Sequence, residues 1–409
     1  MLFETFFDLR CVAVLHSSTI MGGEKDAARN ISIGAGGLGG VAVTSGPASA
    51  GSYQVVYSFG SGSGSGSDGN YPYAGLINVG GTLYGTTVYG GASGQGTVFA
   101  VSPATGAETV VYTFKGGNDG ANPYANLIEV RGKLYGTSAN GGASYYGFGT
   151  VYEVNPTTGN ETVLHSFQGG SDGANPFANL IDVGGTLYGT TEAGGPSNVG
   201  TVYVVNPATG AEKVVIAFIG GSSAANPDAG LIKVGGTLYG TSSAGGASHE
   251  GTVFKVNAKT SVEKVVYSFQ GGSDGELPYA GLTRLGGTLY GTALGSANGN
   301  GTVFAVNPAT GAERSVYEFE SGTDGANPYA GLIKVGVKLY GTTYRGAYGL
   351  GTLFEVDPTT GKEKVLHSFG IGNDGAGPDG NLVEIGGTLY GTTFLGGTSS
   401  RGTVFAYTP

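Results

Sequence analysis

Leu83-Tyr84-Gly85-Thr86 is the first of seven copies of one short phrase, and its recurrence indicates the architecture. The tyrosines of the seven copies are Tyr84, Tyr135, Tyr188, Tyr239, Tyr290, Tyr340 and Tyr390. Successive copies therefore lie 50 to 53 residues apart. A sequence period of about 50 residues indicates a repeat architecture, in which each unit buries its apolar face only against its neighbours.

Each repeat has the sequence pattern of four short strands. In residues 122–167 the strand segments are 126–130, 133–137, 149–154 and 162–167, separated by stretches rich in Gly, Asn and Pro. Alternating Val, Tyr, Phe and Thr between such turns is the signal of strands and hairpins, and no segment has a helical period. Four antiparallel strands repeated seven times predict an all-β fold, a seven-bladed β-propeller.

The two ends of the repeat region predict how the ring closes. The last repeat stops after its third strand, at residues 402–407, whereas residues 53–59 match a fourth strand. A blade shared between the two ends would close the ring with an N-terminal outer strand and remove two exposed sheet edges. We therefore expect one propeller domain over residues 53–409. A parallel β-helix is the alternative architecture.

Composition and charge exclude several classes of partner. Lys and Arg number 19 against 29 Asp and Glu, so the net charge is -10. A phosphate-binding surface is disfavoured, and nucleic acid is not an expected partner. No stretch is long and apolar enough to span a membrane. We expect a monomer.

Residues 1–52 have the composition of a leader or disordered segment. If Met21 is the start, basic Lys25 and Arg29 precede a weakly apolar run at 31–43, and small residues at 48–50 form a cleavage pattern. This pattern favours export. The single cysteine, Cys11, lies in this segment, so disulfides play no part in the repeats.

Several recurring phrases resemble a known family. The phrases are Leu-Tyr-Gly-Thr-Thr, Gly-Thr-Val-Phe and the Asp-Gly-Ala-Asn-Pro-Tyr-Ala of residues 119–125. They resemble the bacterial GloVer-type tandem repeat over about residues 53–409. The resemblance implies a β-propeller-like protein that is secreted or located on the bacterial cell surface. It implies no particular activity.

The long crossings between repeats share an Asp-Gly step that offers candidate metal ligands. Carboxylates near one face of a ring suit a hard cation such as calcium, which takes about six to eight oxygen ligands. In the alternative interpretation each Asp accepts N–H bonds within its own turn. The crossing into the fourth blade has Ser223-Ala224 instead. The candidate ligands are Asp119, Asp172, Asp274, Asp324 and Asp374, and Asp68 begins the series.

Breaks in the repeat are the stronger functional signal. After the proline of each crossing, five repeats carry an aromatic residue (Tyr73, Tyr124, Phe177, Tyr279 and Tyr329). The other two carry Asp228 and Asp379. A carboxylate in place of a ring changes the local chemistry, although a wider, solvated loop would also tolerate it.

The loops between second and third strands differ in residue type between two halves of the ring. Blades six, seven, one and two carry aromatic residues there, and blades three, four and five carry polar ones. Variable loops on a rigid scaffold are where binding sites are normally built. The aromatic set is Tyr344, Tyr348, Phe394, Tyr89, Tyr145, Tyr146 and Phe148, and the polar set is Glu192, Asn198, His249, Glu250, Asn298 and Asn300. An apolar half and a polar half suit a ligand with a greasy or ring-shaped end and a polar end.

These residues favour a calcium-dependent hydrolase that opens an ester or lactone ring. Calcium would polarise the carbonyl and position water. The candidate catalytic residues are Asp228, His249, Asp379 and Glu192, and the aromatic loop residues would bind the substrate. Propeller lactonases are similar in fold and chemistry only, because their sequence motifs are absent. An acyl-homoserine lactone is the candidate substrate.

Two other functions fit the same residues. A non-catalytic extracellular module that binds glycan or protein would use the 25 tyrosines and 18 phenylalanines as stacking surfaces, although the absence of tryptophan weakens the sugar-binding case. A polysaccharide lyase would use Tyr348 or Tyr146 as its base and Arg345 to neutralise a uronate. Cations are few in these loops, which disfavours an acidic polymer.

Overall fold

The computed structural model describes residues 51–60, 66–346, 349–370 and 372–409, and these residues form strands with three short 3-10 helices. The first strand is β1 (Ser52–Ser58). Blade 1 contains β2 (Ile77–Val79), β3 (Thr82–Thr87), β4 (Thr97–Val101) and β5 (Glu108–Thr113). Blade 2 contains β6 (Ile128–Val130), β7 (Lys133–Ser138), β8 (Thr150–Val154) and β9 (Glu161–Ser166). Blade 3 contains β10 (Ile181–Asp182), β11 (Leu187–Thr191), β12 (Thr201–Val205) and β13 (Glu212–Ala217).

The remaining blades repeat this order. Blade 4 contains β15 (Ile232–Val234), β16 (Thr237–Ser242), β18 (Thr252–Asn257) and β19 (Val262–Ser268), with two-residue strands β14 (Ala224–Ala225) and β17 (Ala244–Gly245) in its loops. Blade 5 contains β20 (Thr283–Leu285), β21 (Thr288–Ala293), β22 (Thr302–Val306) and β23 (Glu313–Glu318). Blade 6 contains β24 (Ile333–Val335), β25 (Lys338–Thr343), β26 (Thr352–Val356) and β27 (Glu363–Ser368). Blade 7 contains β29 (Val383–Ile385), β30 (Thr388–Thr393) and β32 (Thr403–Thr408), with β28 (Gly375–Ala376) and β31 (Leu395–Gly396) in its loops. The 3-10 helices are Gly117–Asp119, Gly170–Asp172 and Gly272–Asp274.

The strand order confirms the predicted ring closure. Blade 7 is a four-stranded sheet in the order β29, β30, β32, β1. Strand β1 pairs antiparallel with β32, from Ser52 opposite Thr408 to Ser58 opposite Thr403. The first and last strands of the domain therefore share one blade, and β1 is its outer strand.

The core consists of apolar clusters between neighbouring blades. Between blades 1 and 2 the cluster contains Val98, Phe114, Leu127, Leu134 and Tyr152. The cluster between blades 7 and 1 joins Val404 to Leu83 and Phe99, although these residues lie about as far apart in sequence as the repeats allow. The seven repeats therefore form a closed β-propeller, and the β-helix alternative is wrong.

Two residues of the Leu-Tyr-Gly-Thr phrase explain why it recurs. A Cβ atom on Gly85 would lie 2.6 Å from Cζ of Phe99, so only glycine leaves room for the aromatic ring of the third strand. The buried Thr86 hydroxyl donates a hydrogen bond to the carbonyl of Ala125 in the next blade (3.3 Å). The equivalent bond from Thr392 to Ala74 (2.8 Å) crosses from blade 7 to blade 1. Each phrase therefore joins its blade to the next one.

The loops divide between the two ends of the propeller. The backbone N–H of Val88, which follows the second strand, donates to the carbonyl of Tyr71 in the crossing (3.1 Å). In blade 7 Phe394 makes the same bond to Gly377 (2.9 Å). The crossings and the loops after the second strands therefore lie together, and we call this end of the propeller the loop end. No helix among the described residues could cross a membrane.

Candidate functional site

The crossings place one side chain from every blade at the mouth of the central channel. Each crossing contains a proline shortly before the innermost strand, and the residue before this proline is held at a φ between 54° and 61°. The seven residues that follow the prolines are partly exposed, and we call them the collar. The collar is Tyr73, Tyr124, Phe177, Asp228, Tyr279, Tyr329 and Asp379.

Contacts between successive blades form the aromatic part of the collar. The rings of Tyr73 and Tyr124 meet edge to face at 5.4 Å between centroids, as do those of Tyr124 and Phe177. On the other side, Tyr279 and Tyr329 lie 6.2 Å apart. Because equivalent side chains of neighbouring blades touch only near the axis, these contacts place the rings around the channel. The collar has an arc of three rings and an arc of two.

The two acidic residues of the collar separate these arcs and differ in environment. Asp228 accepts a hydrogen bond from the Ser243 hydroxyl at Oδ2 (2.8 Å). Asp379 is partly exposed as a residue, but its Oδ1 is fully buried and has no hydrogen-bond partner among the described residues. Burial raises the pKa of Asp379 well above its ordinary value. A raised pKa favours the protonated form of this carboxyl at the mouth.

A second layer of side chains comes from the first or second residues of the loops after the second strands. The ring of Phe394 stacks on Tyr71 at 4.9 Å and lies 6.2 Å from Tyr73. Tyr344 meets the ring of Tyr329 at 5.7 Å, and Tyr89 meets Tyr71 at 6.1 Å. Blades 6, 7 and 1 therefore enlarge the aromatic surface at the mouth.

Glu192 occupies the same loop position in blade 3 and lies on the acidic side. Its carbonyl accepts a hydrogen bond from the side-chain amide of Asn226 (3.1 Å), two residues before Asp228. Glu192, Asp228 and Ser243 are thus contributed by neighbouring blades 3 and 4. Of the predicted polar loop residues, Glu192 lies next to the crossing that carries Asp228.

Asp379 and Arg345 both act electrostatically on Tyr329 of the collar. Burial, and then the negative charges of Asp379, Tyr279 and Tyr344, raise the pKa of Tyr329 to about 12, while Arg345 acts in the opposite direction. Arg345 therefore lies within electrostatic range of Tyr329, on the Asp379 side of the collar.

The structure does not bring the other predicted residues to the collar. His249 is exposed at the tip of its loop, with a φ of 64°. Tyr145 and Tyr146 are 95% and 70% exposed, and their ring contacts among the described residues are with each other and Phe148. Tyr348 lies outside the described residues.

The repeated aspartates are held in separate crossings around the outside of the ring. In blade 1, Asp119 accepts hydrogen bonds from the Tyr112 hydroxyl and from the backbone N–H of Lys115 (2.6 Å). The same pairing recurs in Tyr57–Asp68, His165–Asp172, Tyr267–Asp274, Tyr317–Asp324 and His367–Asp374. The outer strand of each blade supplies the Tyr or His. Asp119, Asp172, Asp274, Asp324 and Asp374 therefore do not converge on one ion, because each serves its own turn.

Sequence reasoning missed the glutamates that face these aspartates from the next blade. The outer strands β5, β9, β13, β23 and β27 each begin with a glutamate. Burial, and then the charge of Asp119, raise the pKa of Glu161 to about 8. We call the space between the outer strands of adjacent blades, where these groups meet, the outer groove. The sequence does contain a pattern that could have identified these glutamates. In five repeats a Glu lies two residues after the Gly that closes the last hairpin, and this pattern is visible only when the repeats are aligned.

Sequence reasoning also missed a ring of exposed side chains at the centre of the innermost strands. Blades 4, 5 and 6 contribute Lys233, Arg284 and Lys334, whereas blades 7, 2 and 3 contribute acids and blade 1 an asparagine. The acids and the asparagine are Glu384, Glu129, Asp182 and Asn78, and each accepts an N–H bond from its own hairpin. The inner edge of the ring is thus positive on one side and negative on the other.

Sequence comparison identifies the repeat. A family model described as the Gloeobacter/Verrucomicrobia repeat matches residues 32–181, 144–295 and 287–409. The chain belongs to this family. The resemblance inferred from the Leu-Tyr-Gly-Thr phrases is thereby confirmed. No curated protein matches the chain significantly.

Solved structures similar to this member of the repeat family share its fold at low sequence identity. An oligogalacturonate lyase in complex with manganese has a TM-score of 0.52 and 13% identity, and covers 83% of this chain and 89% of its own. The oligogalacturonate lyase of Vibrio parahaemolyticus has a TM-score of 0.52 and 12% identity, and covers 83% and 90%. The extracellular domain of a protein described as a one-component system of B. thetaiotaomicron has a TM-score of 0.54 and 11% identity, and covers 83% of this chain and 40% of the other. These identities support the fold alone.

Proposed function

We propose that the protein is an extracellular module that binds neutral glycans at the collar. The observation that carries this proposal is the combination of five rings and two acidic residues around one channel mouth. Aromatic faces pack against the C–H faces of sugar rings, and carboxyl groups pair with hydroxyls. The extracellular location is implied by the family resemblance and is supported by the fold of an extracellular domain.

The charge of the collar favours a neutral ligand over an acidic one. Asp228 and Glu192 lie on one side of the mouth and Asp379 on the other, and the net charge of the chain is -10. A polyuronate would bring carboxylates against these acids, and Arg345 and Arg401 are the two cations of the loops after the second strands that could oppose the repulsion. The lyase hypothesis is therefore weaker than neutral glycan binding, although lyases share the fold.

Replacing Tyr124 with alanine tests the proposal. Tyr124 contacts the rings on both sides of it, so the Tyr124→Ala change should remove the centre of the larger arc. We expect affinity for the best neutral oligosaccharide of a panel of β-1,4- and α-1,4-glucans to fall about tenfold or more. Isothermal titration calorimetry measures the affinity, and thermal unfolding checks that the variant folds.

The matched control is Tyr145→Ala, because Tyr145 is exposed and lies outside the collar. This variant should bind the same glucan as the wild type does. Equal losses from both variants, or binding of oligogalacturonate but of no neutral glucan by the wild type, would contradict the proposal.

A second candidate function, opening of an acyl-homoserine lactone, depends on Asp379. In its protonated form this carboxyl, with a buried, unpartnered oxygen, can donate a proton to the alkoxide that leaves when water adds to the carbonyl and the ring opens, and the proton released by the added water restores the acid. A calcium ion at the collar has less support, since the one group of three metal-ligating side chains in the described part of the chain lies in an outer groove. The aromatic surface of blades 6, 7 and 1 would hold the acyl chain.

If this second function is correct, Asp379→Asn should reduce ring opening of a long-chain acyl-homoserine lactone to the uncatalysed rate, with or without calcium. His249→Ala should leave the rate unchanged, because His249 lies away from the collar. Liquid chromatography of the hydrolysed product measures the rate. A wild-type rate no faster than that of buffer would remove this candidate and leave the glycan proposal intact.

A further inference from the structure

We propose that the outer groove between blades 2 and 3 binds one divalent transition-metal ion through His165, Asp172 and Glu212. Each of these residues offers one ligand atom, and the three atoms lie within 4.8 Å of one another. They come from strand β9, the 3-10 helix Gly170–Asp172 and strand β13 of the next blade. This site lies apart from the collar and does not depend on the proposed glycan function.

Two of the three side chains, Asp172 and His165, are positioned before any ion binds. The backbone N–H of Gln168 donates to Asp172 Oδ2 (2.7 Å), which fixes the carboxylate. His165 Nε2 lies 3.2 Å from both oxygens of Asp172. Oε1 of Glu212 is buried and has no hydrogen-bond partner among the described residues. A cation would satisfy that oxygen and separate two carboxyl groups that otherwise face each other.

The other outer grooves have different residues at the positions of the three proposed ligands. In the four grooves that follow blades 7, 1, 4 and 5, a tyrosine replaces the histidine, and a protonated phenol is a poor metal ligand. In the groove between blades 6 and 7, His367 faces Asp374, but the third position is Tyr53, whose ring stacks on the imidazole at 3.7 Å. Among the described residues, only the groove between blades 2 and 3 combines an imidazole with two carboxyl groups.

The donor set indicates the class of ion. One imidazole nitrogen and two carboxylate oxygens suit Zn²⁺ or Mn²⁺, which accept mixed nitrogen and oxygen ligands. Calcium prefers oxygen ligands alone and needs more of them than this groove offers. The side chains of His165 and Asp172 are 18% and 19% exposed, so an ion can enter from solvent and keep water at its remaining positions.

The test compares His165→Tyr with His367→Tyr in the full-length chain without a purification tag. Both changes install the residue that the other repeats carry, so both variants should fold. After treatment with EDTA and dialysis, calorimetric titration with ZnCl₂ should show one site per chain in the wild type. His165→Tyr should weaken that site about tenfold or more, and His367→Tyr should leave it unchanged.

Thermal unfolding gives an independent readout. Zn²⁺ should raise the melting temperature of the wild type and of His367→Tyr, because an ion bound only by the folded chain stabilises it. It should not raise the melting temperature of His165→Tyr. No Zn²⁺ or Mn²⁺ binding by the wild type, or equal binding by wild type and His165→Tyr, would overturn the proposal.

Discussion

Replacing Gly251 with alanine should destabilise the propeller by about 4 kcal/mol or more, since strain and steric overlap act at one buried position. Gly251 precedes the third strand of blade 4 and has a φ of 99°, outside the region that alanine adopts readily. Its added Cβ would lie 2.5 Å from the carbonyl oxygen of Ser242 and 2.6 Å from Cδ of Pro278 in the next crossing. Neither neighbour can move without disturbing a blade. Urea unfolding followed by far-UV circular dichroism measures the loss.

Gly236→Ala in the same blade is the control. Gly236 lies in the hairpin between β15 and β16, outside the left-handed region, and no atom lies within 4 Å of the position that an added Cβ would take. Alanine should stabilise this position by about 0.5 kcal/mol, because it reduces the entropy of the unfolded chain. If Gly251→Ala is as stable as Gly236→Ala, then the close contacts described for Gly251, with Ser242 and Pro278, are wrong.

The seven equivalent glycines show how much of the fold follows from sequence. Each precedes a third strand in the Gly-Thr-Val phrase or its variants, and each has a φ between 96° and 100°. The period, the alternation of strands and the split blade could be predicted because they depend on local turn chemistry that is repeated seven times. The equivalence of Asp228 and Asp379 with five aromatic residues followed from the same alignment, and the structure places all seven in the collar.

The sequence did not reveal which loop residues face the channel. Phe394 and Tyr344 are the first residues after their second strands, and the bond of that residue to the crossing directs them to the mouth. Tyr145 and Tyr146 lie farther along a longer loop, and their rings face solvent. Loop length and the contacts of the loop tip determine whether a side chain faces the channel or the solvent. Neither of these follows from residue type. The approach of Glu161 to Asp119 was hidden for a similar reason, since it joins two blades and depends on how their outer strands lie against each other.

The free energy of unfolding should fall as the pH rises from about 5 to about 8, because five partly buried glutamates bind protons more tightly in the folded chain. Their ordinary pKa is 4.5, and burial followed by a neighbouring aspartate raises it to about 7 for Glu108, Glu212 and Glu363 and to about 8 for Glu161 and Glu313. A raised pKa means that the folded state holds more protons than the unfolded state in this interval. The contribution is complete below pH 4.5 and is lost as the pH passes through the raised pKa. After discounting for solvent screening, each glutamate should contribute about 1 kcal/mol.

Glu161→Gln isolates one member of this set. Glutamine resembles the neutral carboxyl, so the variant should lose part of the pH dependence and should be more stable than the wild type at pH 8. Glu153→Gln is the control, because Glu153 lies in the same blade and pairs with Lys133 and the Tyr135 hydroxyl instead of an aspartate. The Glu153→Gln change should leave the pH dependence of the free energy of unfolding as it is in the wild type. Urea unfolding in EDTA-containing buffer at intervals of pH between 5 and 8 measures both slopes. A wild-type free energy of unfolding that rises over this interval would contradict the prediction. It would mean that the glutamates of the outer grooves are charged, and a cation rather than a proton would then have to offset their repulsion from the aspartates.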